Sequence, residues 1–206
     1  MVRKLQPFRS FLEIAAQCNG QIINFTRIAK EVGVDVKTVQ SYFEILEDTL
    51  VGFLLPPFHE SIRKRQLQSP KFHFFDTGVK RALDRTLTQT FGPGTYAYGN
   101  AFEHFIILEI TRLSDYGRKD WQLSYLRTKD EAEIDLIIER PGLPRALVEI
   151  KSKDKITEAD TVHLNRFAPD IKKSEAYCLS RDPVKKRIGS TLCLPWQEGL
   201  RELGLA

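Results

Sequence analysis

Between residues 10 and 50, apolar positions recur at helical spacing. Ile28, Ala29 and Val32 precede Gly33, and Val36, Val39, Phe43 and Leu46 follow it. The pattern predicts two helices around a short turn. Asp35 caps the second of them, since its carboxylate accepts the free backbone N–H groups of the first turn. Two short aromatic-rich runs come next, Gly52 to Pro57 and Lys71 to Phe75, on either side of Ser61-Ile62-Arg63-Lys64-Arg65. A helix-turn-helix followed by two such strands reads as a winged helix. Phe91-Gly92-Pro93-Gly94-Thr95 then interrupts any regular element, dividing the chain into a winged-helix domain over 1–90 and a second domain over 95–206.

In the second half, Phe102, Phe105, Ile106, Ile107, Ile110 and Leu113 predict a helix from Asn100 to about Leu113 with a broad buried face. Glu103 interrupts that face, its neighbours three, four and seven residues on being Ile106, Ile107 and Ile110. A carboxylate there either needs a cationic partner or, with Asn100, forms a capping-box start to the helix. Glu133 to Ile138 and Ala146 to Lys151 read as two strands joined by a loop containing Pro141, Gly142 and Pro144. A hairpin centred on Gly142 sets Asp135 across from Glu149. Strand alternation puts Glu149 and Lys151 on one face, with Val148 and Ile150 on the other. A helix near Glu158 to Phe167, a strand over Glu175 to Leu179 and a terminal helix complete an α/β layer.

Two carboxylates opposed on a partly buried sheet repel unless a cation lies between them, and an all-oxygen ligand set suits Mg²⁺ or Mn²⁺. Asp135, Glu149 and Glu103 are thus candidate metal ligands, and with Lys151 they form the candidate catalytic set. The ion would polarise a phosphate oxygen and activate water, while Lys151 would stabilise charge. The bland alternative is a solvated sheet face on which Glu149 pairs with Lys151.

The formal net charge of +4 is compatible with a polyanionic partner without demanding one. Candidate phosphate contacts are Lys37 on the second helix of the turn, the run Arg63, Lys64 and Arg65, and Arg127 ahead of the Asp135 strand. Glu44, Glu47 and Asp48 on the helix of Lys37 oppose such contact and suggest a protein partner instead. His59, His73, His104 and His163 have no ligand spacing. Cys18, Cys178 and Cys193 form no CxxC pair and read as unpaired thiols. The opening residues lack the apolar run of a secretory signal and no window is apolar enough for a membrane span, so a cytoplasmic location is expected.

Glu103, Asp135 and Glu149-Ile150-Lys151 together resemble the PD-(D/E)XK motif of restriction and Holliday-junction endonucleases. A more specific resemblance covers almost the whole chain. Ser69 to Gly78, Gly99-Asn100-Ala101-Phe102-Glu103, Tyr125-Leu126-Arg127-Thr128, Glu133-Ile134-Asp135 and Glu149-Ile150-Lys151 occur in the order found in a domain of unknown function that follows AAA-type ATPase modules in bacteria and archaea. The resemblance implies a winged helix-turn-helix followed by a restriction-endonuclease-like α/β domain with a mixed sheet. It also implies an ATPase as partner or parent, and with the metal reading of the carboxylates the expected activity is Mg²⁺- or Mn²⁺-dependent cleavage of DNA. The sequence contains no GxxxxGK[ST] loop, so any ATP hydrolysis belongs to other sequence. Rival expectations are a non-catalytic DNA-binding or protein-docking module and a transcription regulator whose second domain dimerises or senses a ligand.

Overall fold

The computed structural model describes residues 5–59, 69–128 and 132–205. The basic run Arg63, Lys64 and Arg65 lies outside the described residues. The chain divides into two compact units, one of residues 1–56 and 62–90, the other of residues 57–61 and 91–206.

The first unit opens with three helices, α1 (Leu5–Gln17), α2 (Phe25–Val32) and α3 (Val36–Asp48). Gly33 ends α2 in the left-handed conformation at φ 75°, which glycine adopts without Cβ strain. Asp35 then starts α3 by accepting the N–H of Thr38 at 2.8 Å, as the cap position requires. Strands β1 (Gly52–Leu55) and β2 (Lys71–Phe74) pair antiparallel, Gly52 opposite Phe74, and α4 (Thr77–Leu83) follows. Rings hold the core together: Phe11 to Phe43 at 4.9 Å, Phe43 to Phe72 at 5.1 Å and Phe72 to Phe74 at 5.0 Å between centroids. Glu47, expected on the exposed face of α3, is half-buried. Its Oε1 accepts the N–H of Leu54 at 3.0 Å and ties the helix to β1.

The second unit starts with the long helix α5 (Tyr96–Tyr116). Six strands follow: β3 (Gln122–Arg127), β4 (Glu133–Glu139), β5 (Arg145–Lys151), β6 (Ser174–Ser180), β7 (Lys186–Ile188) and β8 (Thr191–Pro195). Between β5 and β6 the chain forms α6 (Val162–Phe167), flanked by short 3₁₀ turns at Glu158–Asp160 and Ala168–Asp170, and α7 (Trp196–Glu202) comes last. The sheet order is β3-β4-β5-β6-β8-β7, with β5, β6 and β8 parallel and the other pairs antiparallel. A mixed α/β layer results. The centres of β4 and β5 are buried on both faces, which accounts for their unbroken apolar runs. Pro57 and Phe58 join this unit: the N–H of Phe58 donates to the carbonyl of Tyr125 at 2.6 Å, and its ring packs with Ile134 and Leu147. No helix among the described residues is long and apolar enough to cross a membrane.

Helix α5 begins earlier than the apolar spacing predicts. Thr95 is its cap, accepting the N–H of Tyr98, so Glu103 lies in the third turn and the capping-box reading of Asn100 and Glu103 is overturned. The side chain of Glu103 is half-buried on the flank of the stripe formed by Ile106, Ile107 and Ile110.

Candidate functional site

The β4 to β5 ladder pairs Leu136 with Val148, Ile137 with Leu147 and Ile138 with Ala146, a register centred on Gly142. Continued by one residue, it sets Asp135 across from Glu149. On the other edge of β4 the ladder to β3 slips. Ser124 faces Ile137 but Leu126 faces Ile134, so Tyr125 is opposed by both Asp135 and Leu136. This is a β-bulge, a device that re-aims a side chain, and it falls at Asp135. Beyond it the N–H of Ile150 donates to Oδ2 of Asp135 at 2.7 Å. The carboxylate thereby satisfies a buried backbone donor at the end of the ladder.

Glu149 is buried, 5% exposed, and Asp135 is 9% exposed. Lys151, two residues along the same face, donates through Nζ to Oε1 of Glu149. Oε2 of Glu149 is also buried, and no hydrogen bond reaches it. Burial first and the charge of Asp135 second push the Glu149 carboxyl up to about 8, against the opposing pull of Lys151 and with a smaller contribution from Glu103. Burial works to lower the Lys151 pKa, but the charges of Glu149 and Asp135 override it and hold the ammonium group above its ordinary value.

Helix α5 comes close to the end of β5. A Cβ on Gly99 would lie 3.8 Å from Oγ of Ser152, and Glu103 is one helical turn further along that face. The charge of Glu103 is accordingly felt at Glu149. Among the described residues, no three His, Cys, Asp or Glu side chains are grouped as a ready metal cage. A buried carboxyl oxygen that no hydrogen bond reaches is nevertheless a position a cation would satisfy on displacing the proton, and Mg²⁺ commonly takes one or two protein carboxylates and fills its remaining positions with water. Asp135 and Glu149 fit that requirement.

Two other groups gather at this edge that spacing alone did not reveal. Cys178 on β6 pairs in register with Glu149 and Cys193 on β8 pairs with Cys178, so the two thiols are buried neighbours. Arg181 follows Ser180, the register partner of Lys151, and contacts Tyr98 of α5. Only the parallel order of β5, β6 and β8 brings these distant segments together.

The candidate phosphate contacts are more dispersed. Arg127 sits at the end of β3, opposite Glu133 and 4.0 Å from its carboxylate. In the first unit, Lys37 is exposed on α3 together with Gln40, Glu44 and Asp48.

Residues 1–90 match a family described as Domain of unknown function (DUF8612), and residues 98–198 match another described as Domain of unknown function (DUF4143). Two uncharacterized proteins, one of Mycobacterium bovis and one of Mycobacterium tuberculosis, are each 32% identical over 132 residues, covering 63% of this chain. The matched part spans 28% of the length of each of these relatives. No solved structure matches the chain.

Proposed function

We propose that the second unit is a PD-(D/E)XK-type nuclease domain that hydrolyses phosphodiester bonds of DNA with Mg²⁺ or Mn²⁺ held by Asp135 and Glu149. The observation that carries this reading is the buried Oε2 of Glu149, left without a donor beside a second carboxylate and a lysine. Glu103 adds a third negative charge from α5. When bound, the divalent cation would supply Lewis-acid polarisation of a phosphate oxygen and a lower pKa for the attacking water. Asp135 is aimed by its bulge and held by the Ile150 N–H, so its second oxygen is pre-oriented before any ligand arrives. Lys151 donates a hydrogen bond to Glu149 in the resting state and becomes available to balance charge on the phosphoryl oxygens when Glu149 exchanges its proton for a cation.

The first unit, with α2, α3 and the β1-β2 pair, is read as a winged helix that positions DNA through Lys37, Arg63, Lys64 and Arg65, and Arg127 is a phosphate contact of the second unit by itself. A second reading is favoured by Glu44 and Asp48, exposed on the same helix as Lys37: that face docks a protein, and the chain serves as a binding module of an AAA-type ATPase. The relatives extend well beyond the matched segment, which leaves room for such a module in them.

Plasmid nicking with Mg²⁺ and Mn²⁺ tests the leading reading on the wild type, Asp135→Ala and Lys151→Ala. Metal-dependent nicking in the wild type and its loss in both variants is the expected result. A chain that neither binds the metals nor nicks is a binding module, and the nuclease reading fails.

A further inference from the structure

We infer that Arg181 is a positioning residue that fastens the start of α5, and with it Glu103, to the end of β5; the inference rests on the metal-site reading above. None of the residues from Tyr96 to Glu103 is buried, and the first buried side chain of α5 is His104. Apolar packing therefore holds the helix from its third turn onward and leaves its first two turns to other ties.

Arg181 provides one from the adjoining strand. Its Nη1 donates to the hydroxyl oxygen of Tyr98, and its guanidinium lies over the Tyr98 ring, 5.4 Å from the centroid. Nη2 pairs with Asp154 at 3.3 Å, and the backbone N–H of Arg181 donates to the carbonyl of Lys153 at 3.2 Å. One side chain thus joins β6, the segment just past Lys151, and the first turn of α5. Next to Tyr98, helix and strand end lie close, since a Cβ at Gly99 would meet Oγ of Ser152 at an ordinary van der Waals distance of 3.8 Å. Glu103 follows Tyr98 by five residues, about 7.5 Å along the helix axis. A shift at Tyr98 is therefore transmitted to the Glu103 carboxylate through a rigid element. The planar fork that reaches Tyr98 and Asp154 at once requires arginine, since a lysine ammonium can lie over a ring but has no fork.

The test is Mn²⁺ titration of the full chain by electron paramagnetic resonance, with amide hydrogen exchange on the metal-free protein, for wild type, Arg181→Ala, Arg181→Lys, Tyr98→Phe and Glu103→Gln. Outer-shell contacts of this kind change metal affinity by about tenfold or more. Both Arg181 variants are expected to weaken Mn²⁺ by about that factor and to speed exchange over residues 96–103 alone, with Tyr98→Phe intermediate. Combined with Glu103→Gln, Arg181→Ala is expected to add little, because both act through one carboxylate. Wild-type Mn²⁺ affinity in Arg181→Ala, or full additivity with Glu103→Gln, overturns the inference. If the wild type itself binds no Mn²⁺, the metal-site reading falls, and exchange alone decides the tie: protection of 96–103 unchanged in Arg181→Ala overturns it, selective loss upholds it.

Discussion

Asp135 and Ile150 are joined by a 2.7 Å hydrogen bond from the strand N–H to the carboxylate, just past the last regular pair of β4 and β5. The bond gives Asp135 a structural duty separate from any chemistry. Asp135→Ala removes the acceptor and leaves a buried donor unsatisfied, a loss of about 1–3 kcal/mol. Asp135→Asn keeps a carbonyl oxygen for Ile150 and is expected to cost clearly less, while metal binding falls in both. Urea unfolding of the two variants at one pH checks this, and equal losses would mean that the Ile150 contact contributes nothing.

The raised Glu149 carboxyl fixes the sign of a pH effect. The folded chain keeps a proton on Glu149 up to about pH 8, whereas an unfolded chain releases it near its ordinary value of 4.5. The unfolded state therefore binds fewer protons between these values, and stability falls as pH rises through that window. Asp182, held down to about 2 mainly by Lys186 and the Ile156 N–H, acts only at lower pH and does not interfere. Glu149→Gln is expected to flatten the decline between pH 5 and 8 by a few kcal/mol. Denaturant midpoints across that range measure it, and parallel curves for wild type and variant would refute the assignment.

A cation at the same carboxylate must displace that proton. Mn²⁺ added near pH 7 is expected to release about one proton per ion, and to bind more tightly at pH 8 than at pH 5. Calorimetry in buffers of different ionisation enthalpy reads the proton count directly. Binding without release would move the ion away from Glu149.

Local signals in the sequence were sufficient where one residue determines one backbone event. Gly33 and Asp35 placed the turn and cap between α2 and α3, and the Pro-Gly loop placed the hairpin about Gly142. Glu103 falls on the expected helix, in the third turn and not at the N3 position of the capping-box alternative; the helix starts a turn earlier because Tyr96, Ala97 and Tyr98 carry no apolar stripe and the capping Thr95 follows a Gly-Pro-Gly break. The bulge at Asp135 depends on pairing with β3, a strand whose sequence Gln122 to Arg127 alternates too weakly to declare itself. Glu47 looked like a surface acid because its partner, the Leu54 N–H, lies on the next element. The Cys178-Cys193 contact and the Arg181-Tyr98 tie arise from parallel crossovers, which no local pattern encodes.

Lys151 and Asp135 should separate binding from chemistry. Lys151→Met removes a positive charge next to the carboxylates, so Mn²⁺ is expected to bind at least as tightly as in the wild type. Nicking is expected to fall by about 100-fold or more if Lys151 balances transition-state charge. A parallel loss of affinity and rate would instead give Lys151 a purely structural part, holding Glu149 in place.

Gly52 tests whether the two units unfold separately. A Cβ there would lie 2.3 Å from Cζ of Phe72 and 2.6 Å from the carbonyl oxygen of His73, and neither the packed ring nor the backbone can withdraw cheaply. Gly52→Ala overpacks the β1-β2 pair at the centre of the aromatic core, and about 1–3 kcal/mol or more is the usual cost. That loss is expected in the first unit alone. Hydrogen exchange should show protection lost along α1, α3 and β2 while β4 and β5 keep theirs, and Mn²⁺ affinity should be unchanged. Loss of protection throughout would show that the two units fold as one cooperative body, so that lesions in the first reach the carboxylates of the second.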